Sequence, residues 1–165
     1  MTKVDIPSTV TSIGSGSFEG CESLKSISIP YSITFIDFSL FKNCSNLVDV
    51  SLPNSIKLIR DNAFYGCSSL KKISLPSNVS SIGDFAFYGC SSLESVSIPS
   101  SVTSIGKGAF GKCSGLKNVS VPSSVKSIGK GAFGGCNSLE EIKIPSSIKN
   151  LNELDIKPES QIIQI

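Results

Sequence analysis

The chain has 165 residues, 39% of them hydrophobic, which is enough for one domain with a real core. Its net charge of +2 gives no strong field toward nucleic acid or a membrane surface, and no apolar run approaches the roughly 18 residues of a bilayer span. There is no His, which removes the commonest general base and the commonest metal ligand together.

The opening, Met1-Thr2-Lys3-Val4-Asp5-Ile6-Pro7, lacks the apolar stretch of a signal peptide. The chain is therefore expected to carry no secretion signal of its own, although a larger parent could supply one. Pro7 then starts a series. Pro30, Pro53, Pro76, Pro99, Pro122 and Pro145 follow at intervals of 23, and only Pro158 falls outside. Cys21, Cys44, Cys67, Cys90, Cys113 and Cys136 keep the same period. So do Phe18, Phe41, Phe64, Phe87, Phe110 and Phe133, and the leucines from Leu24 through Leu47 and Leu70 to Leu139. Such registration predicts a solenoid, a stack of similar turns each burying its apolar edge on the next. The units run 1–23, 24–46, 47–69, 70–92, 93–115, 116–138 and 139–161, with an eighth strand starting at 162–165. At about 4.8 Å per rung the stack would be on the order of 30–35 Å long.

The unit 93–115 shows how one turn is built. Leu93-Glu94-Ser95-Val96-Ser97-Ile98 ends in polar–apolar alternation, the mark of a half-buried strand, which Pro99 closes because it lacks an N–H. Ser100-Ser101 turns the chain. Val102 and Ile105 point inward from a second short extended segment, and Gly106 is expected to supply positive φ at a corner. Ala109-Phe110 with Cys113 sits at helical spacing, room for one turn of helix or 3-10. Leu116 opens the next strand.

The pattern L-x-x-I-x-I-P-x-x-V-x-x-I-G-x-x-A-F-x-x-C-x-x-L resembles the leucine-rich repeat of the BspA-like type, over essentially the whole chain. The resemblance implies a horseshoe-like solenoid with parallel β-sheet on one face and short extended, 3-10 or turn segments on the other. It further implies a cell-surface or extracellular protein used in adhesion to host matrix proteins or other cells.

Several units depart from the pattern. In the last, Asn152 stands in the corner-Gly column, where Asn tolerates positive φ, Ile156 in the Phe column and Glu159 in the Cys column. Ile162 and Ile165 fall on strand positions of the uncompleted eighth unit. Met1 stands in the Leu column, and Val4 and Ile6 form a first strand with no cap before it, so end-to-end self-association is an open expectation. In the second and third units Asp37 and Arg60 replace the corner Gly, and Phe35, Phe38 and Leu58, with Tyr31 close by, form a candidate apolar patch. The plainer reading is drift, with these residues repacking one corner.

The residues that could carry chemistry are few. The cysteines lack the close C-x-x-C pairing of a metal site and read as an inner ladder of thiols. Bridges between neighbouring rungs, such as Cys21–Cys44, fit the Cα–Cα window of a disulfide and remain the alternative. The outward strand columns supply candidate partner-binding residues. One is Ser26, Asp49, Lys72, Ser95, Asn118 and Glu141; the other is Ser28, Ser51, Ser74, Ser97, Ser120 and Lys143. Without a His, the serine column is not expected to be catalytic. Lys107, Lys112, Lys117, Lys126 and Lys130 form a candidate basic patch for sulfated glycan, anionic lipid or nucleic acid; the plainer reading is solubility, and nucleic acid is not expected, since the segment shows no aromatic interleaving. Gly106-Lys107-Gly108 and Gly129-Lys130-Gly131 lack the rest of a phosphate loop. Asn43, Asn78 and Asn118 open glycosylation sequons that matter only in a secreted chain.

The leading expectation is a non-enzymatic scaffold for a protein or glycan partner, with no cofactor or metal. The alternative is an intracellular structural or assembly module, or a fragment of a longer array. Absence of a signal segment and free thiols favour that alternative, so the compartment stays open.

Overall fold

A computed structural model describes residues 2–165 of the chain. The expectation that Met1 continues the Leu column lies outside the described residues.

Each unit contributes a short strand before its proline, and the second to sixth units add another after it. In chain order these are β1 (Lys3–Asp5), β2 (Ser26–Ser28), β3 (Phe35–Ile36), β4 (Asp49–Ser51), β5 (Leu58–Ile59), β6 (Lys72–Ser74) and β7 (Ser81–Ile82). They continue as β8 (Ser95–Ser97), β9 (Ser104–Ile105), β10 (Asn118–Ser120), β11 (Ser127–Ile128), β12 (Glu141–Ile144) and β13 (Gln161–Gln164). The first strands form one face of the solenoid, as the sheets β1-β2-β4 and β6-β8-β10-β12-β13. The second strands form another face, the sheet β3-β5-β7-β9-β11. All pairings are parallel, as stacked turns of one hand require. The expected solenoid is thus present, and the extended segments opposite the first face also pair as a full sheet.

Register places like beside like. Ile27 pairs with Val50, Ile73 with Val96, and Val119 with Ile142, all buried. On the second face Ile36, Ile59, Ile82, Ile105 and Ile128 form the inner row. Between the faces lies the aromatic spine. The rings of Phe18, Phe41, Phe64, Phe87, Phe110 and Phe133 stack with centroids 5.1–5.7 Å apart. From Phe41 on they are fully buried.

The segment around each Phe is a run of turns, which corrects the expected helical turn at Ala109-Phe110. Alternate N–H groups stay local, with Gly111 donating to the Gly108 carbonyl and Cys113 to that of Phe110. The others turn to the next rung, Phe110 donating to the Ala132 carbonyl at 2.8 Å and Lys112 to that of Gly134. Two left-handed residues per unit make this possible. One column holds Gly16, Ser39, Asn62, Phe85, Gly108 and Gly131; the other holds Gly20, Asn43, Gly66, Gly89, Lys112 and Gly135. This side of the solenoid is therefore a ladder of turns.

The role expected of Gly106 is also corrected. Its φ is not in the left-handed range. It is glycine because a Cβ there would lie 2.5 Å from the Asp84 N and the Gly83 carbonyl carbon of the rung before. Gly129 meets the same limit, 2.3 Å from the Lys107 N.

The last unit breaks the period. Gln161 of β13 pairs with Glu141 and Ile162 with Ile142, an offset of 20 residues, so the expected eighth strand at 162 begins one residue earlier and in a shifted register. A 3-10 helix, Leu151–Leu154, shortens the turn; Leu154 is fully buried, its carbonyl accepting the Phe133 N–H as that of Ala132 accepts the Phe110 N–H, and Ile156 is partly buried against the core. Asn152 lies inside that helix; the left-handed residue is Asp155, at φ 55°. Ser160 is buried and donates to the Leu139 carbonyl at 2.6 Å.

Candidate binding surfaces

On the first face the outward positions stand side by side because their backbones pair. Ser26 is level with Asp49, Lys72 with Ser95, and Asn118 with both Ser95 and Glu141. Two residues along, Ser28 is level with Ser51, Ser74 with Ser97, and Ser120 with Lys143. All are exposed except Ser26, Glu141 and Lys143, which are half-buried. Toward the C-terminal rungs a shallow groove of about 500 Å³ runs along this face, lined by Ser97, Asn118, Ser120, Glu141 and Lys143. The Lys143 Nζ and a Glu141 oxygen stand 3.6 Å apart at its edge. The arrangement offers hydroxyl, amide and paired charge on a fixed backbone, and no aromatic ring.

The apolar patch divides. Phe35 pairs with Leu58 in the second sheet, and the Arg60 guanidinium lies over the rings of Phe35 and Phe38, 4.3 and 5.0 Å from their centroids. The same guanidinium reaches Asp37 at 3.1 Å. The two corner replacements, Asp37 and Arg60, are thus partners, and the guanidinium lies against both rings while Phe38 stays 45% exposed. Tyr31 stands apart on the turn after Pro30, 74% exposed.

The basic patch also divides. Lys117 precedes β10 on the first face and Lys126 precedes β11 on the second. Lys107, Lys112 and Lys130 converge on a trough of about 490 Å³ on the ladder of turns. Phe85 and Tyr88, which the sequence reading passed over, wall this trough. Their rings meet edge to face at 5.6 Å, and Tyr88 stacks on Tyr65 at 5.1 Å. Written in rows of 23, the sequence does show these residues one rung from Lys107 and Lys112.

The cysteine column is an inner ladder. All six thiols are free, and the rung-to-rung bridges are not formed. Each thiol from Cys44 on donates to the carbonyl of a phenylalanine 26 residues back, Cys44 to Phe18 at 3.0 Å and Cys90 to Phe64 at 3.3 Å. Burial raises the Cys44 thiol to about 11 and the Cys136 thiol to about 12. Burial and the neighbouring thiols of the ladder push Cys90 well above its usual value. These sulfurs stay protonated and are poor nucleophiles. Among the described residues no three His, Cys, Asp or Glu side chains are placed to share a metal ion.

The repeats match the BspA type leucine rich repeat region, in 6 copies, over residues 1–116 and 34–155. The chain belongs to that family. Among solved structures it is similar to a leucine rich repeat protein of T. pallidum, with 36% identity and a TM-score of 0.81, over 86% of this chain and 71% of that one. A leucine-rich repeat protein of Eubacterium ventriosum is similar at 32% identity and a TM-score of 0.76, over 90% of this chain and 39% of that one. A leucine rich cell surface protein of Faecalibacterium prausnitzii shares the fold, at 21% identity and a TM-score of 0.50, over 93% of this chain and 63% of that one. No curated protein matches the chain significantly. No helix among the described residues is long and apolar enough to cross a membrane.

Proposed function

We propose that the chain is a non-enzymatic binding scaffold of a cell-surface protein, presenting its first face to a protein or glycan partner in adhesion. The observation that carries this reading is the division of labour within each strand. The inner row is nearly uniform, Ile27, Val50, Ile73, Val96, Val119 and Ile142, whereas the outward column just before it, Ser26, Asp49, Lys72, Ser95, Asn118 and Glu141, changes character from rung to rung beside a nearly constant serine column. A rigid backbone with freely variable outward positions suits recognition, because identity there changes the surface without changing the fold. The chain has no His to serve as a base for the serine column. The cell-surface protein of F. prausnitzii, similar in fold, supports the choice of compartment.

The test is retention of the chain on a panel of immobilised extracellular-matrix glycoproteins, followed by interferometry. Saturable binding is expected, at least tenfold weaker for Ser97→Arg combined with Ser120→Arg. No binding across the panel would overturn the reading. A second reading, end-to-end association, is favoured by β13, whose Ile162 is 41% exposed, and by Ile165 just after it, 54% exposed. Sedimentation that depends on concentration, and that Ile162→Lys abolishes, would support it.

A further inference from the structure

The aromatic columns on the ladder of turns end abruptly. The Tyr column runs Tyr65, Tyr88 and then Gly111 and Gly134; Phe85 is followed in its own column by Gly108 and Gly131. The rings of the fourth rung lean over the glycines of the fifth. A Cβ at Gly108 would lie 2.6 Å from the Phe85 ring, and one at Gly111 would lie 2.7 Å from that of Tyr88. One rung further on no ring leans over the glycines; Asp155 closes on Gly134 and the Lys112 stem on Gly135. The space around a Cβ at Gly131 is open. The trough opens beside Gly131, with Gly134 and Gly135 along its floor.

Cations stand along it. Lys107 Nζ lies 5.6 Å from the Phe85 ring centre, and Lys112 Nζ lies 5.6 Å from that of Tyr88. Lys130 follows Lys107 one rung on and is exposed. None of the three makes an ion pair among the described residues. The acidic groups near by are engaged or outnumbered. The Asp84 carboxylate accepts the Lys107 backbone N–H at 2.7 Å, and Glu153 faces Asn150 at 3.4 Å. Asp155 alone lines the far side, over Gly134.

We propose that this trough binds an acidic polysaccharide, a chain of sugar rings bearing carboxylate or sulfate groups. Aromatic walls suit the apolar C–H faces of pyranose rings, and a glycine floor lets a chain lie close to the backbone. Lysines repeating one rung apart, about 4.8 Å, match anionic groups carried on successive sugar units. Asp155 accepts sugar hydroxyls. A lipid headgroup needs no aromatic wall, and the two rings, packed on Tyr65 and on the glycines beneath them, are not splayed for nucleobases to slot between. This proposal rests on reading the chain as a binding scaffold but uses a different face from the first sheet.

The test is calorimetric titration of the intact chain with a heparin octasaccharide and a hyaluronan octasaccharide. A neutral cello-oligosaccharide, an eight-base oligothymidylate and phosphatidylserine vesicles serve as comparison probes. At least one acidic octasaccharide is expected to bind, and to weaken with added salt. Lys107→Glu with Lys130→Glu is expected to weaken it at least tenfold, and Tyr88→Ala several-fold. Lys57→Glu with Lys149→Glu, the same charge change made outside the trough, is expected to leave it unchanged. The lysines are exposed, so these variants fold, which far-ultraviolet dichroism checks. No binding of either acidic octasaccharide overturns the proposal. So does equal binding of oligothymidylate or vesicles, or indifference to the lysine reversals. Because matrix retention is read with first-face variants, failure there and failure here are separate results.

Discussion

At the scale of single residues the spine and the thiol ladder carry most of the physics. Phe87 sits between Phe64 and Phe110, each ring about parallel to the next, with no exposed surface. Phe87→Ala removes one ring from a continuous stack that cannot collapse to fill the gap. It is expected to lower unfolding stability by about 3–5 kcal/mol, read by urea titration. The cysteines predict a pH dependence. A thiol raised from 9.0 to about 11 at Cys44 and to about 12 at Cys136 keeps its proton in the folded state when the unfolded chain has lost it. Their contribution to stability is complete below pH 9 and falls as pH rises from 9 toward 11–12. Chemical denaturation at pH 8 and pH 10.5 should show this loss, and Cys44→Ala with Cys136→Ala should reduce the slope between the two. In the native state, iodoacetamide should leave Cys67, Cys90 and Cys113 unmodified at neutral pH, whereas unfolding exposes all six thiols.

Glycines act at the scale of the turn, for two separable reasons. Gly106→Ala places a methyl 2.5 Å from the backbone of the neighbouring rung. Gly89 has nothing closer than 3.7 Å but holds φ at 73°. Urea denaturation is expected to cost Gly89→Ala about 1–2 kcal/mol from its backbone conformation alone. Gly106→Ala is expected to cost about 1–3 kcal/mol from overpacking, with shifted amide resonances at Gly83 and Asp84. The strand positions, the inner columns and the prolines were all legible in the sequence, since each repeats in nearly every unit. The left-handed columns were not. Ser39, Asn62, Phe85 and Lys112 occupy them as well as glycine, so residue type hides the shared conformation. Gly106 misled in the opposite way, because the same residue serves close approach as readily as positive φ. In the last unit the hydrophobic pattern allowed Ile156 to be assigned to the spine. A shortened turn leaves Ile156 only partly buried and brings Leu154 opposite Phe133 in the register that Ala132 holds one rung earlier, and no periodic signal announces a turn three residues short.

The whole molecule is a one-dimensional stack, so its units should be separable in register and not otherwise. Deleting residues 93–115 would bring Phe87 onto Phe133 and join equivalent positions. That variant is expected to fold cooperatively with a lowered melting temperature, whereas deleting half a unit should abolish cooperative melting. The surfaces were unevenly legible at this scale. Outward columns of the first face follow directly from strand alternation. The trough does not, because Phe85, Tyr88, Lys107, Lys112 and Lys130 are scattered in the chain and meet only when neighbouring rungs are laid side by side. The apolar patch was legible in part: Tyr31 and Phe38 are exposed, whereas the pairing of Asp37 with Arg60, and the stacking of Arg60 on Phe35 and Phe38, link residues about one turn apart and left no periodic mark.

The central claim is that recognition resides in the outward positions of the first face. It is tested most directly by a scan of single charge substitutions, each variant measured against a matrix glycoprotein that retains the wild-type chain. The account predicts that losses cluster at Asn118, Ser120 and Lys143, around the groove, while substitutions at the exposed Tyr31, Lys57 and Lys149 leave binding unchanged. Losses spread evenly over both groups, or confined to Tyr31, Lys57 and Lys149, would contradict it.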